Sequence, residues 1–344
     1  MKKIIIFSMI AALLLLIAAC GTNNSGTANE SQGTKGEGAT ETTELAEVDI
    51  MLDWFPNAVH SYLYVAQEKG YFEEEGVKVN IQFPANPTDP INLAAAGQIT
   101  LGITYQPDVI MAREKGVPVK SIGAVVRSPL NHIVVLEDSS IESPKDLEGK
   151  KVGYPGIPVN IPLLKTMVAT DGGNPDEVEM VDVGFELGSS IVTGNVDAVI
   201  GAYINHEVPV LAHKGHDTRF FNPVDFGVPS FYELVVVTND ANWENNEDAI
   251  RAFWRGATKG YEFMRDNPED ALNVLLTNQD EANFPLIEEV EKQSLEILLP
   301  KMASEQGFGS QEAASWEETI QWLKNYGLIE EEPVIEEIFV NIVE

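Results

Sequence analysis

Val48-Asp49-Ile50-Met51-Leu52-Asp53-Trp54-Phe55-Pro56-Asn57-Ala58-Val59-His60, continued by Ser61-Tyr62-Leu63-Tyr64-Val65-Ala66-Gln67-Glu68-Lys69-Gly70, decides the fold class. Val48 to Leu52 has strand character, Trp54 to Asn57 supplies a turn, and Ala58 to Lys69 suits a helix that Gly70 stops. Strand, turn and helix in that order form a βα unit, and a chain that repeats such units builds a parallel, doubly wound sheet.

The repetition is visible downstream. Val77 to Phe83 alternates as a strand, Asp89 to Ala96 suits a helix, Ile99 to Tyr105 is a short apolar strand, and Pro107 to Lys115 reads as a helix with its proline at the first position. A second series opens near Lys150: strand Lys151 to Tyr154, helix Ile161 to Thr170, strand Val178 to Val183, helix Leu187 to Thr193, strand Asp197 to Gly201 and helix Asn205 to Lys214. Two α/β lobes are therefore expected. Ile133 to Leu136 enters the second lobe and Leu234 to Val237 leaves it, each an extended run expected to bridge the two sheets as a hinge strand. From Asn245 onward the spacing of Trp254, Tyr261, Leu272, Leu295, Trp316, Trp322 and their neighbours is helical, with these aromatics read as core. The expected division is a first lobe of residues 47–135 with 236–344, the latter supplying C-terminal helices, and a second lobe of residues 136–235.

The start of the chain addresses the compartment. Lys2 and Lys3 precede an uncharged apolar run from Ile4 to Leu16, too short to span a bilayer comfortably and shaped like the apolar core of a signal peptide over residues 1–19. It ends in Ile17-Ala18-Ala19-Cys20, which resembles a bacterial lipobox, so that Cys20, the sole cysteine, is expected to carry lipid. No disulfide can form within the chain. Residues 20–46 are mostly small and polar, a composition that buries too little surface to offset the entropy of ordering, and read as a tether. The expected location is extracytoplasmic, anchored to the cell membrane through lipid.

With 54 acidic against 22 basic residues the formal charge is −32. Such a chain repels phosphate backbones, which argues against nucleic acid as a partner, and it equally repels anionic lipid, leaving Cys20 as the membrane contact.

Two segments carry a family resemblance: Leu52-Asp53-Trp54-Phe55-Pro56-Asn57-Ala58-Val59-His60, and Tyr64-Val65-Ala66-Gln67-Glu68-Lys69-Gly70-Tyr71-Phe72. The sequence resembles binding proteins for thiamine pyrimidine precursors, a family related to the eukaryotic thiamine pyrimidine synthases and, further off, to the taurine, sulfonate and nitrate binding components of ABC importers. The likeness runs from about Val48 to Asp240. It implies a two-lobed, type II periplasmic-binding-protein-like α/β fold. It implies a monomeric binding protein that closes on an aminopyrimidine, such as N-formyl-4-amino-5-aminomethyl-2-methylpyrimidine, and delivers it to permease and ATPase subunits.

Candidate ligand residues follow from strand ends, since α/β sheets bind ligands at their carboxyl edges. Trp54 offers a stacking face or packs under the first helix. Asn57 belongs to the same turn, and His60 is either a ligand contact or a hydrogen-bonded residue at the helix start. Tyr105 closes a strand at the same edge, whereas Asp108 reads as a helix-start residue. In Gly201-Ala202-Tyr203-Ile204-Asn205-His206-Glu207 a strand ends in small residues and a helix begins, so that Tyr203 can stack while Glu207, one turn on, accepts from an exocyclic amino group and a protonated ring nitrogen. Glu233 is the next candidate should Glu207 prove to be a surface residue. In the loop Gly153 to Asn160, which lacks a GK[ST] ending and is no phosphate loop, Asn160 reads as helix cap and ligand donor.

Catalysis finds no support. The fungal synthases place a cysteine cluster where this chain has Val228-Pro229-Ser230-Phe231-Tyr232, no G-x-S-x-G elbow occurs, and the five histidines form no metal pair, so neither cofactor nor metal is expected. A sulfonate-binding role is the alternative, and a pyrimidine synthase ranks below it. Sulfonate sites present cations or helix N-termini, and none of Arg113, Arg127, Arg219, Arg251, Arg255 and Arg265 falls in the crevice motifs.

Overall fold

The computed structural model describes residues 45–343. Cys20, the signal peptide and nearly all of the expected tether lie outside the described residues. Within them, no helix is long and apolar enough to cross a membrane.

Ten strands form two five-stranded sheets: β1 (Ala46–Met51), β2 (Val77–Gln82), β3 (Leu101–Thr104), β4 (Val119–Val126), β5 (Asn131–Leu136), β6 (Lys151–Tyr154), β7 (Glu179–Asp182), β8 (Ala198–Tyr203), β9 (Thr218–Phe221) and β10 (Leu234–Asn239). The first sheet has the order β2-β1-β3-β10-β4 and the second β7-β6-β8-β5-β9. The two are built alike. In each, three parallel strands sit beside one antiparallel strand, β10 in the first sheet and β5 in the second, which an edge strand then flanks.

The antiparallel members correct the expectation of purely parallel sheets. Each is the strand on which the chain arrives from the other sheet, and it enters from the opposite end. The hinge assignment changes with it: β5 pairs only with β8 and β9, β10 only with β3 and β4, and the chain crosses between sheets in the loops at residues 127–130 and 222–233. β4 and β9 escape the sequence reading altogether, and helix Glu207–His213 begins two residues after Asn205.

Helices cover both faces of the first sheet, which is why β3 and β10 are buried along their whole length and read as unbroken apolar runs. The helical run Asp240–Asp266, kinked at Asn246, packs on helix Ser61–Glu68. Gly260 permits that approach, since a Cβ there would stand 2.1 Å from the carbonyl oxygen of Tyr62. The aromatics of the C-terminal helices lie in the core as expected: Trp254, Trp316 and Trp322 are all buried. Trp322, on helix Ala313–Asn325, donates through its indole N–H to Thr166 Oγ1 on helix Asn160–Thr170 at 2.9 Å, tying the C-terminal region to the second lobe.

Candidate functional site

The carboxyl ends of three strands reach a common cavity: β1 and β3 from the first sheet and β8 from the second. The β1 turn contributes Asp53, Trp54, Asn57 and Val59, and Tyr105 follows β3. The second lobe answers with Asn131 from β5, with Ile157, Val159 and Asn160 from the loop after β6, and with Gly201, Tyr203, His206 and Glu207 around the end of β8. The space between these walls, open mouth included, is about 450 Å³. Trp54, Asn57, Tyr105, Asn160, Tyr203 and Glu207, all expected from the sequence, thus meet at one cavity.

His60 does not line it. The residue is 1% exposed, and its ring braces the turn from behind: Nδ1 accepts the N–H of Asn57 at 3.2 Å, and Nε2 stands 2.9 Å from Oδ1 of Asp53. Because Nδ1 accepts, the ring proton sits on Nε2 and is donated to Asp53, which fixes that carboxylate at the wall. Asp53 is 3% exposed, and its second oxygen has no hydrogen-bond partner among the described residues. Sequence reasoning passed over Asp53 because a lone acid after a strand carries no spacing signal in so acidic a chain. Asn57 caps the turn, its Oδ1 accepting from Val59 N–H at 3.1 Å while its Nδ2 donates to the carbonyl of Phe55 at 3.0 Å. From the C-terminal helix Glu288–Met302, Glu291 reaches in, buried, and accepts the N–H of Ala58 at 2.7 Å.

On the opposite wall an asparagine pair sets the backbone. Asn131 Nδ2 donates to Asn160 Oδ1 at 2.7 Å, and Asn131 Oδ1 accepts the N–H of Gly201 at 2.7 Å. Gly201 has φ +97°, and a Cβ there would lie 2.6 Å from Pro155 Cδ, so glycine is required. Asn160 is therefore not the helix cap expected of it: Val159 holds that position, and the Asn160 amide instead donates to Ile157 O at 3.2 Å. Asn205 also points elsewhere, donating to Ser294 Oγ at 3.0 Å.

Glu207 begins its helix and accepts the N–H of Tyr203 on Oε2 at 2.7 Å, leaving Oε1 toward the cavity, 4.0 Å from His206 Nε2. Behind Tyr203 lies Glu233, fully buried. Its Oε2 accepts the N–H groups of Leu130 and Asn131 at 2.7 and 3.0 Å, and its Oε1 accepts the Tyr203 hydroxyl at 3.1 Å. Burial pushes the Glu233 carboxyl up to about 7 against the pull of these donors. Burial likewise raises the hydroxyls of Tyr105 and Tyr203 well above the usual tyrosine range, with the charges of Asp53 and Glu233 adding to the effect. Glu233 therefore supports the site from the crossover loop rather than lining it.

The cavity thus presents aromatic side chains at Trp54, Tyr105 and Tyr203 and carboxylates at Asp53 and Glu207, while among the described residues no lysine or arginine lines it. That chemistry suits a flat, neutral or cationic ring carrying N–H donors, and it disfavours anions. Among the described residues no group of three or more histidine, cysteine or acidic side chains is placed to hold a metal ion.

The NMT1/THI5-like family model matches residues 57–271. The formylaminopyrimidine-binding protein of Halalkalibacterium halodurans is 55% identical, the alignment covering 99% of each chain. The 4-amino-5-hydroxymethyl-2-methylpyrimidine phosphate synthase of Legionella pneumophila is 24% identical, over 86% of this chain and 92% of that enzyme. Among solved structures, the alkanesulfonate-binding protein of Xanthomonas axonopodis superposes with a TM-score of 0.70 at 15% identity, over 87% of this chain and 99% of that one, a likeness of fold.

Proposed function

Because this chain belongs to the NMT1/THI5-like family, we propose that it is the solute-binding protein of an ABC importer and takes up an aminopyrimidine precursor of thiamine. It binds without transforming its ligand, and the relative that matches it over its full length is itself a binding protein. The observation that carries the ligand class is the cavity wall: Asp53 and Glu207 offer carboxylate oxygens among three aromatic side chains, with no lysine or arginine from the described residues. An aminopyrimidine has a flat ring to stack, an exocyclic amino group to donate, and a ring nitrogen that a carboxylate can hold protonated. Each charge-assisted bond contributes about 1.5–3 kcal/mol and each stack about 0.5–1.5 kcal/mol beyond area burial. Two of each sum to about 4–9 kcal/mol, which together with area burial is set against the cost of association and the roughly −8 kcal/mol of micromolar binding. The same wall is unsuited to a sulfonate, whose oxygens would face two acids.

Lipid on Cys20 would hold the protein, as a monomer, at the outer face of the cell membrane, where a permease with its ATPase subunits receives the ligand. Isothermal titration with N-formyl-4-amino-5-aminomethyl-2-methylpyrimidine, its hydroxymethyl analogue and taurine tests the reading. Saturable heat with the pyrimidines and none with taurine is expected; no heat with any aminopyrimidine would overturn it.

A further inference from the structure

Phe185 lies in the turn after β7, outside the ligand cavity, and sequence reasoning gave it no role. Its ring nonetheless meets the first lobe at two points. It stands edge-on to Trp54, centroids 4.5 Å apart at 70°, and tilted against Phe55, also at 4.5 Å. Phe55 in turn stacks on Phe284 at 4.1 Å and 20°, and Phe284 meets Phe83 edge-on at 5.0 Å. Phe185 is thus the second-lobe member of an aromatic file otherwise made of the β1 turn, the end of β2 and the loop before helix Glu288–Met302.

Trp54 is the shared piece. One part of its indole lines the ligand cavity, while another packs on Phe185 and on the small apolar cluster of the second sheet that includes Leu187, Ile191 and Val199. On the first lobe the Trp54 ring meets Phe55 edge-on at 6.2 Å, a looser contact than the 4.5 Å to Phe185, so the orientation of its ring is set chiefly by what packs against it from the second lobe. An edge-to-face partner fixes that orientation because the positive ring edge seeks the negative face of its neighbour. We propose that Phe185 is a positioning residue for ligand binding, the second-lobe side chain that holds the Trp54 ring against the bound solute. It makes the stacking wall complete only when the two lobes meet, so it delays ligand escape and leaves ligand entry unaffected. The inference rests on the aminopyrimidine reading above and extends it to a residue outside the cavity.

Stopped-flow mixing and isothermal titration with N-formyl-4-amino-5-aminomethyl-2-methylpyrimidine, on the full chain and on Phe185→Ala, Phe185→Leu, Phe185→Tyr, Trp54→Ala and the Trp54→Ala/Phe185→Ala double variant, test it. Phe185→Ala should speed dissociation about tenfold and leave association within about twofold, the expectation for a lost aromatic pair felt after docking. Phe185→Tyr, which keeps the ring, should restore slow dissociation, and Phe185→Leu should not. In the double variant the loss should equal that of Trp54→Ala alone, since Phe185 then has nothing to position. Dissociation from Phe185→Ala within twofold of wild type, full rescue by Phe185→Leu, or losses that multiply in the double variant would each overturn the inference while leaving the ligand reading intact. A wild-type protein that binds no aminopyrimidine would overturn the ligand reading, and the inference with it.

Discussion

His60 donates from Nε2 to Asp53 Oδ1 at 2.9 Å while its Nδ1 accepts the N–H of Asn57 at 3.2 Å, so one buried ring joins the turn to the cavity's most enclosed acid. The acid uses one oxygen for the ring, and its other has no hydrogen-bond partner among the described residues. Asp53→Asn should therefore weaken aminopyrimidine binding by about 1–3 kcal/mol, because an amide cannot accept on both sides or favour a protonated ring nitrogen. His60→Ala should also lower the melting temperature, since it orphans the Asn57 N–H and leaves Asp53 buried without its donor. Titration and thermal melts of both variants check this; an Asp53→Asn affinity within twofold of wild type would remove Asp53 from the site.

Glu207→Gln keeps an oxygen for the Tyr203 N–H, which Glu207 now accepts at 2.7 Å, and so should leave the start of the helix in place. It loses the charge that favours ring protonation, and affinity should fall by about 1–3 kcal/mol with melting unchanged. Titration beside a thermal melt separates the two effects.

Asp108 links pH to stability. It is 6% exposed, accepts a backbone hydrogen bond from Val159 of the second lobe, and has Oδ1 unpartnered. Burial raises its carboxyl from 3.8 to about 7, so between those values the folded protein holds a proton that the unfolded chain has released. Its contribution to stability is complete below about pH 4 and declines as pH rises toward 7. Asp108→Asn mimics the protonated form at every pH. The variant should melt near wild type below about pH 4 and increasingly above it as pH rises to about 7, with the gap constant beyond. The difference between the two proteins isolates Asp108 from His132, whose ring burial pushes down to about 4 and whose contribution runs the opposite way, growing as pH rises from 4 to 6.5. A difference that does not change with pH would refute the assignment.

A ligand held by Trp54 and Asp53 on one lobe and Tyr203 and Glu207 on the other gains affinity only where the lobes meet. Small-angle scattering should show the radius of gyration falling on saturation with the pyrimidine, and Trp54→Ala should blunt the change. An unchanged curve would confine binding to one lobe or place the free protein already in the closed form.

Cys20→Ala should block lipid attachment and release the protein from membranes, or halt its processing, while the purified binding region keeps its affinity. Cell fractionation decides it. A processed variant that stays with the membrane would disprove the lipobox reading.

The sequence by itself determined the two-lobed α/β plan, because apolar runs, helix stops at glycine and prolines at helix starts are local signals that neighbouring residues emit. It also located the strand ends, and with them Trp54, Tyr105, Tyr203 and Glu207, since a strand's carboxyl edge follows from strand order alone. What lay beyond its reach depends on residues distant in the chain. The antiparallel entry of β5 and β10 follows from the direction of crossing between sheets, which no local pattern records. His60 turned from ligand contact to brace because Asp53 and Asn57 enclose its ring, and Asn160 turned from cap to partner because Asn131, 29 residues away, meets it. Asp53 and Phe185 were silent for the same reason: an acid in an acidic chain or a phenylalanine in a turn acquires its role from the groups that surround it, and only the tertiary structure brings those groups together.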